Sequence, residues 1–137
     1  MADKRVLVVD DEIHIVHVVA IKLRNNGYEV ITADNGAEAF ELAQQESPDI
    51  IVMDYQMPVM NGLELVKELR ENEMTKDIPV ILLTARSFAV SKEQQDELQI
   101  STCLSKPFSP RELLGYIEDI LHQKVLVVES GCSGQSP

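Results

Sequence analysis

Apolar positions along this chain follow two rhythms. Short, β-branched, largely apolar runs recur at residues 5–9, 28–33, 49–53, 79–83 and 102–104, and each ends at a polar residue. Such runs fit strands of a sheet buried on both faces. Between them the apolar residues fall at helical spacing. Residues 12–26 predict a first helix, with Ile15, Val16, Val18, Val19 and Leu23 on one broad face and Gly27 placed to end it. A second helix follows a capping Asn35 to about residue 45, with Ala39, Leu42 and Ala43 inward, until Ser47-Pro48 breaks it. Residues 62–71 predict a third. Residues 87–98 are polar and weakly helical. Ser109-Pro110 starts the last helix, which carries Leu113, Leu114, Ile117 and Leu121 on one face.

Five strand–helix units predict an α/β fold, a doubly wound five-stranded parallel sheet with five helices. Parallel neighbours need crossovers of this length, and the crossovers cover both faces. Ligands of such sheets bind beyond the carboxyl ends of the strands. The residues that fall there are Asp10, Asp11 and Glu12 after the first strand, Asp54 after the third, Thr84 after the fourth, and Lys106 and Pro107 after the fifth. Carboxylates, one hydroxyl and one ammonium therefore meet at one edge, without a catalytic Ser or His. Crowded carboxylates raise one another's pKa unless a cation shares the site. A hard ion such as Mg²⁺ is the natural partner, held by one or two carboxylates, waters and a phosphoryl oxygen. With Lys106 and Thr84 beside it, the set suits phosphoryl transfer, with Asp54 as acceptor.

Charge narrows the field. Twelve Lys and Arg stand against 23 Asp and Glu, a net charge of −11. The basic footprint of a nucleic-acid binder is missing, so direct nucleic-acid contact is not expected. No apolar run approaches the roughly 18 residues of a membrane span, and the N-terminus lacks a signal-peptide pattern. A cytoplasmic location is the expectation. Cys103 and Cys132 have neither zinc-site nor disulfide-framework spacing and are expected to be reduced thiols.

Four motifs in order give the chain a family resemblance: Val8-Val9-Asp10-Asp11-Glu12; Met53-Asp54 with Met57-Pro58-Val59-Met60-Asn61-Gly62; Leu83-Thr84-Ala85; and Ser105-Lys106-Pro107-Phe108. Together they resemble the receiver domain of two-component response regulators, over about residues 4–123. The resemblance implies a flavodoxin-like strand order, 2-1-3-4-5. It implies that Asp54 accepts a phosphoryl group from a sensor histidine kinase or histidine phosphotransfer protein. It implies Mg²⁺ at Asp10, Asp11, Asp54 and the backbone carbonyl of Gln56, with Asp10 acting through water. Thr84 would bond the phosphoryl oxygen, Lys106 would pair with it, and Gly62 would serve the tight turn into the third helix. A change at the face of the fourth helix, fifth strand and fifth helix would switch a downstream partner or a fused output domain; a homodimer stays open. Such a domain catalyses only its own phosphorylation and dephosphorylation.

Two departures stand out. The position three before Lys106 is aromatic in the family and here is Cys103; the Gly-Ala often found upstream is Gln99-Ile100. Phe88 or the fourth helix itself would then carry part of the switch. A receiver fold used as a constitutive interaction module is one rival reading. A Mg²⁺-dependent hydrolase is another, weakened by Gln56 where a second acid–base group belongs. The first helix is expected to dock the phosphodonor, with His14, His17, Ala20 and Ile21 outward. Residues 124–137 form a tail, linker or start of a further domain, since 124–129 echo the first strand.

Overall fold

Alternate residues of the inner strands bury on opposite faces, and that alternation builds two cores. The computed structural model describes residues 4–57, 59–85 and 90–129, with side chains as far as Leu121. Strands β1 (Arg5–Val9), β2 (Glu29–Ala33), β3 (Ile50–Asp54), β4 (Val80–Thr84) and β5 (Thr102–Ser105) pair in parallel in the order β2-β1-β3-β4-β5. The sheet is the predicted doubly wound, flavodoxin-like one. Helices α1 (Ile13–Arg24), α2 (Gly36–Glu46), α3 (Gly62–Arg70), α4 (Lys92–Glu97) and α5 (Pro110–Glu129) follow the strands in turn. Val6, Val8, Val52 and Ile81 pack with Val19 and Leu23 of α1 and with Leu113 and Ile117 of α5. On the other face Leu7, Val9, Ile51 and Leu82 meet Ala39 and Ala43 of α2 and Leu65, Val66 and Leu69 of α3. Each fully buried Leu or Ile contributes roughly 1.5–3 kcal/mol, so these faces hold the sheet rigid under the site.

Local chemistry sets the helix ends. Asn35 caps α2 by accepting from the Glu38 N–H at 2.8 Å. Asn61 and Glu64 form a reciprocal capping box on α3, as Ser91 and Gln94 do on α4. Ser109 Oγ accepts from the Glu112 N–H as α5 begins. Gly27, at φ +91°, turns the chain out of α1.

Several predictions of detail need correction. Val18 is 50% exposed, not part of the inward face of α1, and Ala20, expected outward, is 3% exposed. The α1 stripe is narrower than its apolar content suggests, since Ile13, Val18 and Ile21 all face solvent. Helix α4 is six residues long with none buried, because its sequence offers no apolar period; Ser87 and Phe88 lie outside the described residues. Residues 124–129 are not strand-like but the last turns of α5. Neither Gly nor Pro interrupts the sequence between Gly115 and Gly131 to stop that helix. Residues 130–137 lie outside the described residues, as does Pro58.

Candidate functional site

Sheet register gathers the predicted residues. Val9 lies opposite Met53, Asp54 opposite Leu83, and Thr84 opposite Ser105, so neighbouring strands among β1, β3, β4 and β5 end within one residue of each other. Asp10 leaves β1 with its N–H held by the Ala33 carbonyl. Its carboxylate is fully buried, and Oδ1 accepts from the Glu12 N–H at 3.0 Å. Asp54, the last residue of β3, is 5% exposed, while Asp11 is open to solvent. Thr84, at the end of β4, is 2% exposed, and its carbonyl accepts the Lys106 N–H at 2.8 Å. That bond aims the Lys106 side chain across the edge. Lys106 Nζ lies 2.9 Å from Glu12 Oε1, 3.0 Å from Asp54 Oδ1 and 3.2 Å from Asp10 Oδ2.

Electrostatics follow from this crowding. Burial raises the Asp10 carboxyl above its usual range, against the opposing pull of the Glu12 N–H and Lys106. Burial also pushes the Asp54 carboxyl up to about 6; Lys106 opposes the shift, and the neighbouring charges of Asp10 and Asp11 add to it. Lys106 would fall through burial, but its contacts with Glu12, Asp54 and Asp10 outweigh that and raise it. The same contact holds Glu12 below the ordinary carboxylate value. One oxygen each of Asp10, Asp11 and Asp54 lies within 4.8 Å of the others. Such a set of hard, anionic oxygens fits a small dication such as Mg²⁺.

The loop from β3 to α3 begins directly after Asp54. Met57 is buried and anchors it, whereas Gln56 is exposed. Val59 is fully exposed at φ +71°, a left-handed conformation that β-branched residues rarely adopt. A Cβ on Gly36 would come 2.8 Å from Met60 Sδ, so Met60 folds over the start of α2. A Cβ on Gly62 would come 2.8 Å from Leu82 Cδ1 and 3.0 Å from the Asp54 carbonyl. Gly62 thus serves close approach of α3 to β3, with its N–H bonded to the Tyr55 carbonyl at 2.8 Å. The resemblance implies a turn glycine; the structure adds close contact with the end of β3 and with Leu82 of β4.

Other expected residues do not converge on the carboxylates. His17 lines a groove of about 570 Å³ with Asp34 and Glu38, and His14 lines a different one of about 460 Å³ with Lys106 and Phe108. The two imidazoles, three residues apart on α1, line different grooves. Cys103 is half-buried on the α3 side of the sheet, where burial raises its thiol. Glu12 was visible in the sequence as an acidic neighbour; its bond to Lys106 bridges 94 residues and has no local signal.

A family model described as response regulator receiver domain matches residues 6–118. The chain belongs to that family. Among curated proteins, this receiver is 37% identical over 123 residues to the phosphate regulon transcriptional regulatory protein PhoB of Pseudomonas aeruginosa. The match takes in 90% of this chain and 54% of PhoB, so the receiver spans about half the length of that relative. Among solved structures, the chemotaxis response regulator CheY4 of Vibrio cholerae superposes with a TM-score of 0.80 at 37% identity, over 87% of this chain and 99% of that one. The receiver domain of a sensor histidine kinase from Pseudomonas aeruginosa PAO1 gives 0.76 at 30% identity, over 86% and 97%. That structure has a magnesium ion coordinated in its active site cleft. Because PhoB is a transcriptional regulator, the expectation against nucleic acid extends no further than the residues of this receiver. Among the described residues no helix is long and apolar enough to cross a membrane.

Proposed function

We propose that this receiver is a phosphoacceptor switch, with Asp54 taking the phosphoryl group from a phosphohistidine of a sensor kinase or phosphotransfer protein. The observation that carries the reading is the shared contact of Lys106 with Asp10 and Asp54 at the end of the central strands. A carboxylate oxygen of Asp54 would attack phosphorus in line. The P–O bond forms as the P–N bond breaks, and the electron pair leaves on the imidazole nitrogen, which then takes a proton. Lys106 is already at bonding distance from Asp54 and would follow the new negative charge. Thr84, buried at the end of β4, would donate its hydroxyl to a phosphoryl oxygen.

Asp10, Asp11 and Asp54, with the carbonyl of Gln56, would hold Mg²⁺, Asp10 acting through water. When bound, the ion supplies positive charge that offsets repulsion between the carboxylates and the incoming phosphoryl oxygens. Phosphorylation adds roughly −1.5 to −2 charge at the site. The face of α4, β5 and α5 would pass that change to a downstream protein or fused output domain, with residues 4–123 as the switching unit. The exposed Ile13, Val18 and Ile21 of α1 would dock the phosphodonor. A cytoplasmic setting belongs to the same reading, through the kinase that supplies the phosphate. Beyond its own phosphorylation and dephosphorylation the domain has no chemistry to perform.

Labelling with acetyl phosphate and Mg²⁺ tests the assignment. Wild type should take up one phosphoryl group, and Asp54→Asn should take up none. One equivalent of label on Asp54→Asn would place the acceptor elsewhere.

A further inference from the structure

Glu12 stands at the N-cap of α1, where a short polar side chain normally accepts from the first turn, yet its side chain makes no such bond. It reaches across to Lys106 instead, and at 2.9 Å this is the shortest of the three carboxylate contacts on that ammonium. The three are not equivalent. Asp10 and Asp54 are buried and fixed by strand ends, whereas the Glu12 side chain is 48% exposed and can swing away. Lys106 itself is mostly buried, with 16% of its side chain exposed, so it has little solvent to fall back on.

We propose that Glu12 is a positioning residue, a releasable latch that holds Lys106 before phosphorylation and competes with the phosphoryl group for it. This rests on the phosphoacceptor reading above. An anion on Asp54 must draw Lys106 away from Glu12 or share it, so the latch sets how tightly the site holds a phosphoryl mimic. Reach matters as well as charge. Aspartate at position 12 keeps the charge but is one methylene shorter and falls short of Nζ. Since the pair is half open to water, its effect is modest, about two- to fivefold. Replacing Glu12 removes no capping bond, so α1 keeps its start.

Beryllofluoride affinity, measured by calorimetry at saturating Mg²⁺, gives the first readout. Glu12→Gln and Glu12→Asp should each bind about two- to fivefold more tightly than wild type. The gain should vanish in a Lys106→Met background, because the latch then has nothing to hold. The second readout uses the protein without metal: the ¹⁵N resonance of the Lys106 ammonium should move in both Glu12 variants. The latch is overturned if Glu12→Asp binds like wild type, if the gain from Glu12→Gln persists with Lys106→Met, or if the ammonium resonance stays put. Each of these leaves the phosphoacceptor reading standing. Failure of wild type to bind beryllofluoride at all would remove that reading and the latch together.

Discussion

Asp54 is both the proposed acceptor and a strained choice of residue, since burial resists the charge that makes it nucleophilic. Its carboxyl sits at about 6 in the fold against 3.8 for an ordinary aspartate. A raised acid binds its proton more tightly in the folded state than in the unfolded one. Its favourable contribution is therefore fully present below pH 3.8 and is lost as pH rises through about 6. Without metal, Asp54→Asn should stabilise the protein at pH 8 by about 1–3 kcal/mol, since each pKa unit is worth about 1.4 kcal/mol. The gain should shrink towards pH 4. Urea unfolding at the two pH values checks this; an equal gain at both, or a loss at pH 8, would refute the burial account. Cys103 poses a different question at the same scale. With one χ angle and a small volume, it cannot sweep the space an aromatic side chain would, so under the proposed switch coupling along β5 would fall to backbone and loop motion.

At the scale of elements, what was legible in the sequence depended on whether the signal was local. Strands β3 and β4 announce themselves because both faces are buried, which makes the residues continuously apolar. Caps at Asn35 and Ser109 are readable three residues away from their partners. The phase of α1 was harder, because Val18 and Ile21 are apolar without being core. Helix α4 shows what was hidden. It buries none of its own residues, and part of what fixes its end is Arg70 of α3. The guanidinium donates to the carbonyls of Lys76 and Ile78 before β4, and of Leu98 and Gln99 after α4, at 2.8–3.0 Å. No pattern in the sequence links position 70 to residues 28 and 29 further on. Planar geometry lets one side chain serve both loops, which a lysine cannot reproduce. Arg70→Met should cost about 2–4 kcal/mol in urea unfolding, and Arg70→Lys should recover little of it. Near-wild-type stability for the lysine variant would show that charge, not the fork, is what matters.

Over the whole molecule, negative charge dominates and the proposed metal site concentrates it. A net charge of −11 makes any cation somewhat stabilising through screening alone, so a specific effect has to be separated from that background. Magnesium held by Asp10, Asp11 and Asp54 would bind only the folded chain, because the fold brings the end of β3 beside the residues that follow β1. At a concentration a hundred times its dissociation constant, it should add about 2.7 kcal/mol, or several degrees in melting temperature for a domain of this size. Asp11 is the exposed member of the set, so Asp11→Asn should weaken binding about tenfold with little effect on the fold. At a Mg²⁺ concentration a hundred times the wild-type dissociation constant the variant should therefore lose about 1.3 kcal/mol of stability relative to wild type, beyond any difference without metal. Sodium chloride at matched ionic strength should move both proteins alike. If Mg²⁺ and sodium chloride shift wild type equally, or Asp11→Asn keeps the full Mg²⁺ response, the ion is only screening the surface and the carboxylate edge is not its site.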